Sequence, residues 1–230
     1  MKNIPVFTAA NGTASVILQE IPYSGKAYIL IRSVWTTAAA LLEECCQFCR
    51  MAGAEQIFAS WGTEDLPGAH SYDLVAMSCE KAALPQPRRP VVLEPLTPEN
   101  GGDYLAVYNR CFREVPGAAT YGQRDLKRLY DTDCAFLVRQ DGVCAAVAEI
   151  CEEGLEGIAV LPEFRGLGYD LAAAVLQMVP SVTVRLKVAS TNERAIALYE
   201  RLGFQLLGVI PGWFRMDDRY EDICPYYALL

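Results

Sequence analysis

Two periods of apolar residues run through the 230-residue chain. In "SVTVRLKVAS" Val182, Val184, Leu186 and Val188 alternate with polar residues, the period of a half-buried strand. A few residues earlier Ala172, Val175, Leu176 and Val179 recur at i, i+3, i+4 and i+7, a helix face that Pro180 closes. The same reading over the first third gives strands in "ASVILQEI" and "KAYILIRSVW", a helix from about Thr37, and strands in "EQIFASW" and "YDLVAMSC". The segment 83–90, "ALPQPRRP", carries three prolines between apolar runs and reads as a linker at 84–90. It divides the chain into a small α+β part, 1–83, and a larger part, 91–230.

The larger part opens on a strand in "VVLEPL". A helix follows, with Thr97 as cap and Pro98 at its first position, and an apolar face of Tyr104, Leu105, Tyr108 and Phe112. A shorter helix is expected in "GQRDLKRLY". "CAFLVRQ" and "VCAAVAEI" flank Asp141-Gly142, a two-residue hairpin signal, and "LEGIAVL" is the next strand. A last helix starts near Ser190 or Asn192, presents Ala195, Leu198, Tyr199 and Leu202 on one face, and closes at Gly203. Strands in "FQLLGVI" and "YYALL" end the chain. Trp213, Phe214 and Arg215 read equally well as an acceptor-site lining and as an ordinary aromatic loop.

A hydrophobic share of 52% is enough to build a sizeable core. The net charge of −8 disfavours nucleic acid and anionic membrane as partners, and leans toward a cationic substrate. The nine cysteines are scattered through apolar runs and read as reduced thiols of a cytoplasmic protein. Cys46 and Cys49 have the spacing of half a zinc site, but no second pair follows, so no metal is expected. No segment reads as a membrane span.

Two constellations carry chemistry. "GIAVLPEFRGLGYDLAAAVLQ", residues 157–177, passes from strand through two glycines into a helix, where open backbone N–H groups attract phosphate. It fits neither the P-loop nor the dinucleotide fingerprint. "LKVASTNERAIALYERLGF", residues 186–204, follows one helix and one strand later. Together they resemble the GNAT superfamily of acetyl-CoA-dependent N-acetyltransferases. Val160, Pro162, Arg165, Gly166 and Gly168 match the family's cofactor loop, and Asn192, Ala195, Leu198, Tyr199, Gly203 and Phe204 match its second motif.

The resemblance implies an α+β fold with a mixed, mostly antiparallel sheet flanked by helices over the C-terminal 140 residues. It implies acetyl-CoA as cosubstrate and a small-molecule or peptide amine as acceptor. The strand of Ile158, Ala159 and Val160 would splay from its neighbour to pair with the cofactor arm, with the Val160 amide facing the thioester oxygen. Arg165, Gly166, Leu167, Gly168, Tyr169 and Asp170 would form the pyrophosphate loop, Asn192 and Ala195 the other wall. Tyr199 would protonate the leaving thiolate. A base for the amine is sought among Glu149, Glu152, Glu153 and Glu156, with Glu153 and Glu156 placed foremost. Asp170 stands where the family keeps a small residue. A carboxylate there suits the helix dipole but opposes a pyrophosphate, so its side chain is expected to turn to solvent and binding to be weakened. A binding module without turnover is the alternative reading. The first part resembles a degenerate half of the same fold without a cofactor loop, and reads as a packing, dimerisation or substrate-cleft domain compatible with a homodimer.

Overall fold

The structure is a computed structural model that describes residues 6–62, 64–115, 117–130 and 132–216. The chain forms two compact units, residues 1–73 with 210–230, and residues 74–209. The expected strand "YYALL" lies outside the described residues.

In the first unit a hairpin of β1 (Val6–Ala9) and β2 (Gly12–Ile17) leads through a single turn, α1 (Ile21–Ser24), to β3 (Lys26–Val34). The helix α2 (Ala38–Met51) then crosses to β4 (Gln56–Ser60). The Thr37 hydroxyl caps α2 by accepting the Ala40 N–H at 3.2 Å. β3 and β4 are parallel, as a helical crossover requires. Leu41, Leu42, Cys45, Cys46 and Cys49 seat α2 on the sheet. Burial pushes the Cys45 thiol up to about 11 and Cys49 up to about 12, so both are protonated apolar packing groups.

The strand β5 (Ala69–Glu80) ends in the second unit and is followed by a single turn, Lys81–Ala83. There follow β6 (Glu94–Pro95), α3 (Gly101–Phe112), α4 (Gln123–Tyr130), β7 (Ala135–Gln140), β8 (Val143–Ile150) and β9 (Gly154–Val160). Then come α5 (Gly168–Leu176), β10 (Thr183–Ala189), α6 (Glu193–Arg201) and β11 (Gln205–Arg215). The second unit's strands pair in the order β5-β10-β9-β8-β7-β6, antiparallel except for β9 with β10. Asp141 and Gly142 have φ of 52° and 80°, the left-handed pair that a tight hairpin needs.

Alternation along these strands splits the second unit's core between two faces. Phe136, Val138, Ala146 and Ala148 pack with Leu171, Val175 and Leu176 of α5, with Tyr199 of α6 and with Leu202 at its C-cap. Leu137, Val147, Ala159 and Leu161 pack with Tyr104 and Val107 of α3 and with Leu126 and Leu129 of α4. This is the α+β architecture of a mixed sheet flanked by helices.

Three local expectations differ from the structure. The helix expected from Pro98 begins at Gly101, because the Asn100 side chain accepts the Thr97 N–H at 2.8 Å and donates to Glu94 and the Pro95 carbonyl, which holds a separate turn. Trp213 and Phe214 lie in a strand of the first unit, Phe214 opposite Ala59 and Trp213 edge-on to Tyr28 at 5.1 Å. Residues 84–90 fall inside the second unit and do not hang free. Leu84 is buried against the α5 core, the Lys81 ammonium donates to the Val179 carbonyl at 2.6 Å, and Arg88 and Arg89 reach Asp170 at the far end of α5. The segment is a strap laid along that helix.

Candidate functional site

The site starts from a glycine. A side chain at Gly154 would put its Cβ 1.6 Å from the Arg185 carbonyl oxygen, so only glycine lets β9 and β10 meet there. They pair at Arg185 with Gly154 and at Leu186 with Leu155, and no further. Beyond that vertex the strands part. On its other edge β9 stays paired with β8 up to Val160 opposite Ala146. Leu161 donates to the Ala145 carbonyl at 2.9 Å, and antiparallel alternation then turns the Ile158 and Val160 N–H groups away from β8, toward the gap. The register slips once, between Glu149 and Ile150 on β8, and makes Glu156 the extra residue of a bulge.

The gap is a cleft of about 550 Å³. Glu156, Ile158, Val160, Arg165, Gly166, Gly168, Asn192, Ala195 and Tyr199 all line it. At one end Gly166, with φ of 101°, turns the chain into α5. Among the described residues no side chain caps α5, so its first backbone N–H groups are open to an anion. Opposite, the Asn192 side-chain Oδ1 caps α6 by accepting the Ala195 N–H at 3.2 Å, which leaves the side-chain NH₂ for the cleft. Burial raises the Tyr199 phenol above its ordinary range, so it holds its proton at neutral pH.

Several expected residues are placed otherwise. Ala159 faces the α3 and α4 core, and Leu167 packs against the α5 core. Glu153 pairs with Arg185 at 3.0 Å on the outer side of the vertex and is not brought to the cleft. Glu149 is buried, accepting from the Tyr121 hydroxyl at 2.9 Å and from Arg128 at 3.3 Å. Desolvation raises its carboxyl, against the lowering influence of Tyr121 and Arg128. Glu152 is exposed in the turn, which leaves Glu156 as the carboxylate of that group in the cleft wall.

Asp170 overturns the expectation of a solvent-facing carboxylate. It is 3% exposed and its oxygens point away from the loop amides. Oδ1 accepts the Arg88 and Arg89 backbone N–H groups at 2.8 and 3.3 Å, and Oδ2 accepts Arg89 Nε at 2.9 Å. Burial works to raise its pKa, but these bonds and the Arg89 charge prevail and hold it below the usual carboxylate value. Arg89 also donates to the Gly166 carbonyl at 3.0 Å, so strap and loop are tied at two points.

Lys187 and Arg194 line the cleft and the strap arginines line the cavity beside it, and no sequence pattern marks any of them as part of a site. Lys187 shares the polar alternation of β10 with Arg185, a pattern that any solvent face would show. Arg88 and Arg89 were visible only as part of a proline-rich segment. With Arg165 they give the cleft a basic rim in a chain of net charge −8, so the acidic balance does not describe the site.

Solved structures share this fold. A functionally unknown conserved protein from Staphylococcus epidermidis aligns with a TM-score of 0.59 at 16% identity, over 91% of each chain. A GCN5-related N-acetyltransferase from Sphaerobacter thermophilus aligns with a TM-score of 0.56 at 15% identity, over 89% of this chain and 76% of that one. The fold is therefore GNAT-like. Residues 103–204 match the model of the Acetyltransferase (GNAT) family. By sequence the chain is also similar to the spermidine N(1)-acetyltransferase of Escherichia coli K12, 29% identical over 172 residues, 68% of this chain and 85% of that protein.

Proposed function

We propose that the second unit moves an acetyl group from acetyl-CoA to a primary amine, in the cleft between β9 and β10. The observation that carries this reading is the parting of the two strands above Gly154, which leaves the Ile158 and Val160 N–H groups without a strand partner beside an uncapped helix start. An extended pantetheine arm carries amide groups that can satisfy such an edge, and its diphosphate suits the α5 N-terminus. Acetyl-CoA supplies an activated thioester. The chain's own groups do the rest. Val160 N–H is aimed where negative charge develops on the thioester oxygen, and Tyr199 holds a proton for the departing sulfur. Glu156, exposed on its bulge, removes the amine's proton directly or through water.

A non-catalytic reading would rest on Asp170 repelling the diphosphate, and that carboxylate faces Arg88 and Arg89 instead. For the acceptor, the spermidine acetyltransferase relative puts polyamines first in the panel to be tried. The test measures thiol release from acetyl-CoA across polyamines, monoamines, amino acids and peptide N-termini. At least one amine class should release thiol, and Tyr199→Phe should keep acetyl-CoA affinity while slowing turnover by about 10²-fold. Tight binding with no release for any amine would contradict transfer. An unchanged rate in the variant, where chemistry limits, would return Tyr199 to the core.

A further inference from the structure

A second cavity of about 550 Å³ adjoins the cleft and shares Gly166, Gly168 and Leu198 with it. Its other walls are Tyr169 and three arginines, Arg88, Arg89 and Arg201, with Asp170 the one acid. Arg89 is neutralised by Asp170. The other two are not. Among the described residues Arg88 and Arg201 pair with no carboxylate, and both guanidinium groups lie over the same Tyr169 ring, at 4.2 and 5.2 Å from its centroid. Two like charges held at one aromatic ring repel each other, and cation–π attraction offsets that only in part. A doubly charged anion seated between them would remove the repulsion and accept from both forks.

The anion follows from covalent chemistry, given the reading that the cleft holds acetyl-CoA. In that molecule the ribose joined to the diphosphate through its 5′-oxygen carries a further phosphate at its 3′-position. With the diphosphate at Gly166 to Gly168, that phosphate must lie within one sugar of the loop, which is where the second cavity opens.

We propose that Arg88 and Arg201 form a site for the ribose 3′-phosphate of the donor, so that the chain selects 3′-phosphorylated CoA over 3′-dephospho-CoA. The strap supplies half of this site. Its backbone is fixed by Asp170 through the Arg88 and Arg89 N–H groups, which leaves the Arg88 side chain to be spent on the ligand.

The test is calorimetric titration of the full chain with CoA and with 3′-dephospho-CoA at low and high salt. Wild type should hold CoA at least roughly 10-fold tighter, the scale of one charge-assisted contact, with the preference shrinking at high salt. Arg88→Ala and Arg201→Ala should each reduce the ratio, and the double variant should bring it close to one by losing CoA affinity and not 3′-dephospho-CoA affinity. Both side chains are exposed and the Arg88 backbone bond survives, so thermal melts of the variants should match wild type. Equal binding of the two ligands by wild type overturns the site while leaving the donor reading intact. An equal loss for both ligands in the double variant does the same, and assigns the pair to holding the strap. Failure of wild type to bind either ligand at millimolar concentration removes the donor reading and this site with it.

Discussion

Asp170 shows how one residue can be read correctly by type and wrongly by direction. A carboxylate in a first helical turn is favoured by the helix dipole wherever it points, so sequence supplies a reason for it and no orientation. The orientation comes from Arg88 and Arg89, about eighty positions away, whose N–H groups need acceptors. Asp170→Ala should therefore destabilise the chain by about 1–3 kcal/mol, the range for charge-assisted hydrogen bonds, read as a denaturation midpoint at neutral pH. The pH dependence has a definite sign. The folded carboxyl titrates below its ordinary value of 3.8, so its contribution is present above that pH and is lost as pH falls through the folded value. Acid unfolding of wild type should carry this component and the variant should lack it; matching acid curves would mean that the tether carries little energy.

At the scale of elements, most of the helices and strands flanking the cleft were legible, because their periods of 3.6 and 2 are set by burial on one face. α5 and α6 start and end close to where glycine, asparagine and proline place them. The parting of β9 from β10 was not legible in strand pattern and came only with the family resemblance. β10 alternates through Val188, and β9 resumes its alternation past the Glu156 bulge, so a missing neighbour leaves no trace in period. Its cause is nonetheless a residue, Gly154, where the backbones touch. Gly154→Ala must push β10 off β9 at the vertex. It should cost about 1–3 kcal/mol or more, as overpacking does, and lower the melting temperature by about 2–4 °C per kcal/mol. A variant as stable as wild type would show that the vertex can relax, and that the cleft does not depend on it.

At the scale of the molecule, the proline-rich segment was the least legible part. Prolines and arginines between apolar runs describe a linker and a strap equally well, since neither carries a period, and only Leu84 and the long-range bonds of Lys81, Arg88 and Arg89 distinguish them. Net charge misled in the same way, because it averages over a surface on which Arg165, Lys187 and Arg194 gather at one cleft. On the function proposed above, acetyl-CoA enters this cleft of the second unit. Hydrogen exchange with and without the ligand is a direct test, since the Ile158 and Val160 N–H groups face the gap, where no described strand pairs with them to slow their exchange. Protection is expected at Ile158 and Val160 and through Gly166–Asp170, with the amides of β2, β3 and β4 unchanged. Protection centred on residues 12–60, or none at saturating acetyl-CoA, would contradict that proposal.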